Sequence, residues 1–409
     1  MNKKLLALAV AGAFAAPVAM ADTSNVTIYG TVSMSIDHVD GGTGGTSTPT
    51  SSAQDSRIRV GSNTTRIGFK GTEDLGNGLN AFWQIENRVD IDTSSALVSA
   101  RDSFVGLGNK QWGSVSFGFQ NSPLKTSTRK LDLFGGGETI ADYRTLFVTR
   151  DTNIRAANSV LYTSPTFSGF QVKLQTAAQQ ENGSTENPKF YSGSVTYDNG
   201  PIFATLAYEQ NDKAFGSATA AQSIFDNGRG VTGVGGYNIS ATNASTVTEA
   251  EFETWRAGFG YNFGVAKVGI AYQDTQLDVN SNGITTIAGN GLIAAVAAGT
   301  RLETERKSYH VSGSYNITTA TQIAAQYTRA GSLKNNAGLS GDTKATQYTL
   351  GAYHNMSKRT KVYGLYTRVN NCTNSSYSLA GGASGVEVVS AAAQDQNPRA
   401  FSVGMIHTF

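Results

Sequence analysis

The sequence lacks the long apolar segments from which membrane-spanning helices are built. Beyond the N-terminal region, the longest uninterrupted apolar stretch is about Leu292–Ala298, far short of the ~20 residues that such a helix needs. The mean hydropathy of −0.24 is that of a chain with many polar residues. A bundle of membrane-spanning helices is therefore excluded for the main part of the chain.

The first 21 residues have the pattern of a cleaved secretory signal. Lys3 and Lys4 precede an apolar stretch that runs to Ala19, and Ala19-Met20-Ala21 is a small-x-small cleavage site. A spanning helix is the alternative, but the stretch is short and continues directly into polar chain. We predict that residues 1–21 are removed and that residues 22–409 form the mature domain.

Cysteine and net charge are also scarce. Cys372 is the only cysteine, so an internal disulfide is impossible, and no CxxC motif or Cys/His cluster suggests a metal site. Removal of residues 1–21 takes away two lysines, which leaves 32 − 2 = 30 basic residues against 30 acidic ones. This balance argues against a nucleic-acid binder or a polybasic membrane-surface protein. We expect no nucleic-acid partner, no metal and no cofactor.

Glycine and aromatic residues, in contrast, are abundant. The 46 glycines, 17 tyrosines and 19 phenylalanines, set against only 7 prolines, favour strands and turns over helices. Segments such as 26–37, 79–86, 255–263 and 266–272 alternate apolar with polar or small side chains at a period of two. Because only alternate residues are apolar, such strands can span lipid at a low mean hydropathy.

The connections between these segments alternate between short and long, as expected for an outer-membrane barrel. Seven short turns and eight long loops join sixteen predicted strands, each near the ~9–11 residues that a tilted strand needs to cross a bilayer. We predict an all-β, sixteen-stranded antiparallel transmembrane β-barrel with short periplasmic turns and long extracellular loops. The short turns are 73–78, 108–113, 164–169, 199–200, 262–264, 316–320 and 357–360. The long loops are centred on 41–56, 93–99, 121–154, 178–188, 211–252, 273–304, 331–343 and 370–398. Within the sixth long loop, Ala288–Thr300 is predicted to form a short helix.

An ordered set of motifs resembles the β-proteobacterial general porins of the neisserial–Burkholderia type. The set covers the mature chain from end to end, and its divergence is concentrated in the loops. The motifs are Val26-Thr-Ile-Tyr-Gly30, Arg66-Ile-Gly-Phe-Lys-Gly-Thr-Glu-Asp-Leu-Gly76, Gly78-Leu-Asn-Ala-Phe-Trp-Gln-Ile-Glu86, Phe104-Val-Gly-Leu107, Gly113-Ser-Val-Ser-Phe-Gly118, Asn158-Ser-Val-Leu-Tyr-Thr-Ser-Pro165, Ser357-Lys-Arg-Thr360 and the terminal Phe409.

The resemblance implies a homotrimeric outer-membrane barrel whose third long loop folds into the lumen and narrows it. Here that loop is Asn121–Ile154, and its acidic residues Asp132, Glu138 and Asp142 suit a constriction. A loop that points outward is the alternative. The resemblance also implies that Phe409 is the signal read by the barrel-assembly machinery, although it can equally belong to the interfacial aromatic girdle.

Alternation predicts which charged side chains of the wall face the lumen. Five basic residues oppose apolar neighbours and are expected to point inward, with Glu86 on the same face. The loop acids would face them across the gap, and the resulting field would order water at the waist. Alternatively, these arginines pair locally with Glu86 or the loop acids and merely stiffen the wall. The five basic residues are Arg66, Lys70, Arg88, Arg101 and Arg155. Of these, Arg66, Arg101 and Arg155 fall on the strands that carry the arginine cluster in similar porins.

The expected function is a general diffusion channel for ions and small hydrophilic solutes, set in outer-membrane lipid and lipopolysaccharide. Wall arginines suggest a mild preference for anions. Leu161, Phe119, Ile406 and Thr408 stand where basic residues are frequent in the family, and these departures weaken that inference.

Three other functions remain open. His310 and Ser312 lie two apart on one strand face and could form a base–nucleophile pair, but no GxSxG or HExxH motif accompanies them. A surface adhesin or receptor would use the loops and leave the barrel as an anchor. A substrate-specific channel would need a ladder of lumenal aromatics, and inward-facing Phe82 and Tyr363 are too few to make one.

Overall fold

The computed structural model describes fifteen segments of the chain, and the statements below refer to these segments. They are residues 25–42, 56–93, 99–135, 138–147, 154–178, 189–212, 222–223, 238–241, 247–281, 285–289, 292–296, 301–336, 341–375, 377–379 and 395–409. The predicted signal, residues 1–21, lies outside them and stays a prediction.

The secondary structure is almost entirely β. The strands are β1 (Asn25–Asp40), β2 (Arg57–Ser62), β3 (Arg66–Gly76), β4 (Leu79–Arg88), β5 (Ser99–Ala100), β6 (Ser103–Asn109), β7 (Gly113–Asn121), β8 (Arg155–Thr163), β9 (Phe170–Ala178), β10 (Lys189–Asn199), β11 (Ile202–Asp212), β12 (Gln222–Ser223), β13 (Asn238–Ala241), β14 (Val247–Asn262), β15 (Ala266–Ser281), β16 (Thr285–Gly289), β17 (Leu292–Val296), β18 (Arg301–Asn316), β19 (Thr321–Ala330), β20 (Lys334–Asn335), β21 (Ala345–Asn355), β22 (Thr360–Asn371) and β23 (Arg399–Thr408). The helices are α1 (Pro123–Ser127) and two 3₁₀ turns, Arg129–Leu131 and Tyr143–Leu146. No helix in the described segments is long and apolar enough to span a membrane.

Sixteen antiparallel barrel strands close into one sheet, which confirms the predicted fold class. Three barrel strands are interrupted, so that β2 with β3, β5 with β6 and β19 with β20 each form one strand. Closure joins β1 to β23 from the Thr31–Thr408 pair to the Asp40–Arg399 pair. Beyond the Thr31–Thr408 pair, the backbone N–H groups of Gly30 and Phe409 each donate to the other residue's carbonyl at 3.1 Å.

The burial pattern of the strands is the reverse of that in a water-soluble protein. On β15, Ile270 is 54 % exposed on the outside, whereas Gln273 is 2 % exposed inside. On the neighbouring strand, Val311 is exposed and Ser308 is buried. Apolar side chains therefore face outward, toward lipid, and polar side chains line the lumen. Closure leaves no strand edge whose backbone groups would be unpaired in lipid.

The turns at one rim are short, as predicted. Asn199 ends β10 and Ile202 begins β11, and Gly200 supplies the positive φ of +57° that this tight reversal requires. The long connections lie at the opposite rim. The two ends of the barrel therefore differ in the length of the connections that they carry.

The helix predicted over Ala288–Thr300 is wrong where the structure describes it. Thr285–Gly289 and Leu292–Val296 form the antiparallel hairpin β16–β17, and β13 and β12 extend it to a four-stranded sheet. Residues 290–291 and 297–300 lie outside the described segments. An alanine-rich apolar run allows both helix and strand, and pairing with β13, some 50 residues earlier in the chain, decides between them here.

Because apolar side chains face outward, a charged residue introduced on the outer face should destabilise the folded barrel, and more so the deeper it lies in the lipid. Ile270→Arg should destabilise the barrel by about 2–4 kcal/mol, because Ile270 lies within the lipid-facing band. Ile317→Arg, the same change in an exposed short turn, should cost about 0–1 kcal/mol. Urea titration of the refolded proteins in lipid vesicles measures both. Equal costs for the two variants would contradict the assignment of Ile270 to the lipid face.

Candidate functional site: the narrowed lumen

The loop between β7 and β8 enters the lumen and is hydrogen-bonded to the wall by its backbone. It contains α1 and both 3₁₀ turns. Inward side chains of six barrel strands contact main-chain groups of residues 124–147, so the loop spans the interior. The contacts are Leu124 N to Ser192 Oγ (3.2 Å), Arg256 Nη1 to Leu124 O (3.0 Å), Ser33 Oγ to Glu138 O (2.8 Å), Gln326 Nε2 to Ala141 O (2.6 Å), Ser308 Oγ to Leu146 O (3.0 Å) and Gln273 Nε2 to Phe147 O (2.6 Å).

Apolar loop side chains pack where the wall carries glycine. A Cβ placed on Gly258, Gly260 or Gly269 would lie 2.9–3.0 Å from the methyl groups of Leu131. Leu131 is consequently buried, at 3 % exposure. Glycine at these positions leaves the space that a larger residue would deny to the loop.

A second apolar contact lies farther round the wall, at β21. Phe134 is fully buried between Gly351 and Tyr353, with ring centroids 5.8 Å apart for the two aromatics. Ile140 and Leu146 belong to the same buried cluster. The core of this barrel therefore lies inside the lumen, between the loop and the wall.

The suggested base–nucleophile pair is part of this attachment. Ser312 Oγ donates to the carbonyl of Leu131 at 2.7 Å, and His310 Nε2 lies 3.3 Å from the same oxygen. His310 Nδ1 lies 2.9 Å from Thr328 Oγ1, and the ring stacks on Tyr143 at 4.2 Å. Both groups are thus engaged in holding the loop, and the spacing of two residues reflects a shared lumenal face.

A gap remains between the in-folded loop and one part of the barrel wall. On the wall side of this gap, charged side chains form ion pairs and hydrogen bonds with one another. Glu86, 6 % exposed, makes a short ion pair with Arg101 and accepts the hydroxyl hydrogen of Tyr29 at 3.1 Å. Arg66 Nε lies 3.9 Å from the same carboxylate. Arg155 Nε donates to Asp102 at 2.7 Å.

On the loop side, Glu138 reaches the wall directly. Its carboxylate binds Arg66 at 3.0 Å and lies 3.9 Å from Lys361 Nζ. Asp132, at the end of the first 3₁₀ turn, accepts a hydrogen bond from Phe134 N at 3.1 Å. These groups border a cavity of about 360 Å³ between loop and wall. Its lining is Tyr29, Thr31, Arg66, Glu86, Arg101, Asp102, Arg129, Asp132, Gly135 and Glu138.

Four of the residues predicted for the pore lining or constriction do not border this cavity. Arg155 is joined to it through Asp102, and the other three make contacts away from it. Asp142 is fully buried and binds its neighbour Arg144 through both carboxylate oxygens, because it caps the second 3₁₀ turn. Arg88 pairs with Asp90 at 2.6 Å at the end of its strand. The Lys70 ammonium lies over the Tyr29 ring, 5.1 Å from its centroid, and borders a separate cavity.

Two residues of the gap were not identified from the sequence. Asp102 follows Arg101 directly, so strict alternation would place it outside. The strand is interrupted there, between β5 and β6, and both side chains line the cavity. Arg129 lies in the first 3₁₀ turn and is exposed, and alternation says nothing about loop residues. Among the described residues, Arg129 has no ion pair.

The N-terminal end of the loop carries a lysine in an unusual electrostatic setting. Lys125 N donates to Ser122 Oγ, which caps α1. Burial lowers the pKa of the Lys125 side chain well below its usual value, and the nearby Arg155 and Arg144 guanidinium groups lower it further.

A second loop also enters the lumen, which the sequence analysis did not predict. Tyr377 and Leu379, from the connection between β22 and β23, are buried in the same cluster as Leu146. The Arg306 guanidinium lies over the Tyr377 ring at 5.3 Å. The last long loop, around 370–398, is therefore partly internal rather than wholly outside.

Comparison with known proteins identifies similar chains. A family model described as "Gram-negative porin" matches residues 7–374. The major outer membrane protein P.IB of Neisseria gonorrhoeae is 34 % identical over 217 residues, which are 51 % of this chain and 56 % of that protein. The outer membrane porin protein 32 of Delftia acidovorans is 30 % identical over 289 residues, 68 % of this chain and 70 % of that protein. The chain thus spans about half the length of the neisserial relatives that it matches.

Solved structures have the same architecture. The anion-selective porin from Comamonas acidovorans aligns with a TM-score of 0.69 and 25 % identity, over 95 % of this chain and 100 % of that one. OmpT of Vibrio cholerae aligns with a TM-score of 0.64 over 96 % and 100 % of the two chains. At 18 % identity, the second likeness concerns the fold alone.

The fit between Leu131 and the glycines predicts that a side chain at residue 269 displaces the loop. Gly269→Val should raise the single-channel conductance, because the new methyl groups would occupy the space of Leu131 and Ser312. Gly61→Val is the matched control, since a Cβ there would lie 3.5 Å from its nearest neighbour. Planar-bilayer recordings of both refolded proteins make the comparison. A folded Gly269→Val protein with unchanged conductance would contradict the prediction.

Proposed function

The chain belongs to the Gram-negative porin family, and on this premise we propose that it is a general diffusion channel of the outer membrane. Its solutes are ions and small hydrophilic molecules, which cross passively through the lumen. One observation carries this proposal. The polar lumen is crossed by a loop attached to opposite walls, which leaves a gap lined by charges of both signs.

Such a gap selects against apolar solutes. Buried hydroxyl, amide and charged groups line the walls, so water inside the lumen has polar partners along its path. An apolar solute would have to displace this water without replacing its hydrogen bonds. A charged or polar solute can exchange one set of contacts for another.

The charges at the waist support a mild preference for anions. Most of the arginines there are paired with carboxylates, as the local-pairing alternative anticipated, so their net effect on passing ions is small. Arg129 is exposed on the loop and is the cation best placed to meet a passing ion. Five basic groups stand against four carboxylates: Arg66, Arg101, Arg129, Arg155 and Lys361 against Glu86, Asp102, Asp132 and Glu138.

Export and assembly complete the proposal. Residues 1–21 direct the chain through the inner membrane and are removed, and the barrel-assembly machinery reads Phe409 at the end of the last strand. The mature barrel forms a homotrimer in lipid and lipopolysaccharide. The ring of Phe409 lies against Gly30, so the terminal residue also joins the first strand at the closure.

The alternatives have less support. A barrel that only anchors adhesive loops has no need of a loop held across its lumen by side chains of six strands. A substrate-specific channel needs consecutive aromatic contacts along the path. Tyr363, one of the two aromatics in question, is 3 % exposed and hence covered by its neighbours.

The proposal predicts water-filled conductance. The refolded protein in a planar bilayer should show long-lived openings in steps of three, as a trimer of open channels would. Under a salt gradient, the reversal potential should have the sign of a mild anion preference. Folded, heat-modifiable protein without conductance would contradict the channel, and a reversal potential of the opposite sign would contradict only the anion preference.

Arg129 should set the sign of this selectivity. Arg129→Glu lowers the net charge at the gap by two units. At ~8 Å in water this corresponds to about 1 kcal/mol, or about a fivefold fall in the anion-to-cation permeability ratio. Lys358→Glu, the same charge change in an exposed turn at the short-turn rim, should have little effect in 0.1 M salt because of screening. Equal shifts of the reversal potential in both variants would assign selectivity to overall charge instead.

A further inference from the structure

On the short-turn side of the charged gap, the lumenal wall contains a separate cavity of about 490 Å³, which we call the Lys70 niche. Its volume lies in the range of about 300–1,000 Å³ that is usual for small-molecule sites. Lys70 lies four residues beyond Arg66 on β3, so the niche is about 13 Å along the wall from the gap. The side chains that border it include Thr27, Lys70, Thr72, Phe82, Gln84 and Phe104.

Two phenylalanines form the apolar surface of the niche. Phe82 and Phe104 meet edge to face, with ring centroids 6.1 Å apart. Phe82 shares the lumenal face of β4 with Glu86. Val105 is 57 % exposed on the outer wall, which places its neighbour Phe104 on the lumenal face. The interruption between β5 and β6 that turns Asp102 inward therefore also adds a lumenal ring that alternation did not predict.

A glycine lets the Phe82 ring lie against the wall. A Cβ on Gly106, the cross-strand partner of Phe82, would lie 2.5 Å from the end of the ring. Without that side chain the ring can pack over β6. The ring is only partly buried, so some of its apolar surface remains in contact with the lumen. An apolar group that covered this surface would release water from it.

Lys70 supplies the positive charge of the niche. Its ammonium lies 5.1 Å from the centroid of the Tyr29 ring, and the side chain is exposed to the lumen. In the part of the chain that the structure describes, Lys70 makes no ion pair. The Glu86 carboxylate, which accepts from the Tyr29 hydroxyl, is already paired with Arg101. An anion that entered the niche would thus meet a cation that no carboxylate contact offsets among these residues.

The register of the strands places this charge beside the rings. Lys70 pairs with Gln84 across β3 and β4, which makes Phe82 its diagonal neighbour. Diagonal neighbours of this kind are about 7–8 Å apart. A ring that lies over Phe82 and carries a carboxylate can therefore reach the Lys70 ammonium. Thr27 pairs with Lys70 on the other side, and Thr72 pairs with Phe82.

We propose that the Lys70 niche binds aromatic carboxylates of a single ring as they cross the lumen. The carboxylate binds the Lys70 ammonium, and the Thr27 and Thr72 hydroxyl groups border the same cavity as further donors. The solute ring packs against Phe82 and Phe104. This inference rests on the proposed diffusion channel and names a class of solute that the channel favours. One weak site does not restrict the channel to that class.

Charge and ring together separate this class from other small solutes. An aliphatic carboxylate would gain the Lys70 contact without the edge-to-face contact between rings. An aromatic cation would be repelled by the same ammonium. A sugar can cover the Phe82 ring but has no negative charge for Lys70. Only an aromatic anion uses both parts of the niche.

The test measures how benzoate reduces the chloride current through the refolded full-length protein in a planar bilayer. Its half-blocking concentration should be about threefold or more below that of cyclohexanecarboxylate, which has the same charge but a saturated ring. Lys70→Gln should raise the half-blocking concentration of benzoate about fivefold, because a charge-assisted contact is lost. Phe82→Leu should raise it about threefold, because an aliphatic side chain replaces the ring.

Lys358→Gln and Phe117→Leu are the matched control variants. Lys358 is exposed in a short turn at the same rim, and Phe117 is an outward ring that is 52 % exposed. Neither change should alter the half-blocking concentration of benzoate. Heat-modifiable migration checks that each variant has folded. Saturation-transfer NMR of benzoate with the detergent-solubilised barrel repeats the comparison without any need for conductance.

Four outcomes would overturn the proposal. These are equal half-blocking concentrations for benzoate and cyclohexanecarboxylate, an unchanged value in folded Lys70→Gln or Phe82→Leu, equal rises in Lys70→Gln and Lys358→Gln, and block by benzylammonium as strong as that by benzoate. A channel that conducts chloride but does not respond to benzoate would contradict this inference alone. A folded barrel without conductance would contradict the proposed function, and the NMR comparison would still decide whether the niche binds benzoate.

Discussion

Hydrocarbon offers no hydrogen bonds to a peptide backbone, and the rest of this structure depends on that constraint. Every strand must have two partners, so the sheet must close, and here β1 and β23 meet through ten paired residues and the Gly30–Phe409 contact. A closed sheet of sixteen strands has an interior too wide for wall side chains alone to fill. The interior therefore needs a structure of its own, and the in-folded loop provides one.

That loop has few helical hydrogen bonds, and the wall compensates. Side chains such as Arg256, Gln273 and Gln326 bind its carbonyl groups, which would otherwise be buried without partners. Glycines opposite Leu131 and Phe134 let the loop pack closely. The same wall residues that give the lumen its polarity thus hold the element that narrows it. Stability and permeability are consequently coupled in this barrel.

At the narrow waist of the lumen, the effect of each charged side chain depends on whether it is ion-paired. Arg101 and Glu86 neutralise each other in a buried contact, and Arg66 and Glu138 connect the wall to the loop. Paired charges position the loop, whereas an exposed charge such as Arg129 acts on ions in the gap.

By itself, the sequence determined the fold class, the number of strands and the alternation of short and long connections, because a period of two is a local property of a strand in lipid. The same alternation of inward and outward side chains predicted that Arg66 and Glu86 face the lumen. Only the tertiary structure decided the rest. Parity ends where a strand is interrupted, so Asp102 turned inward, and it has no meaning in a loop, so Arg129 and the burial of Asp142 against Arg144 could not be anticipated. The hairpin within 285–296 and the inward position of Tyr377 likewise depend on contacts with distant segments, which no local pattern encodes.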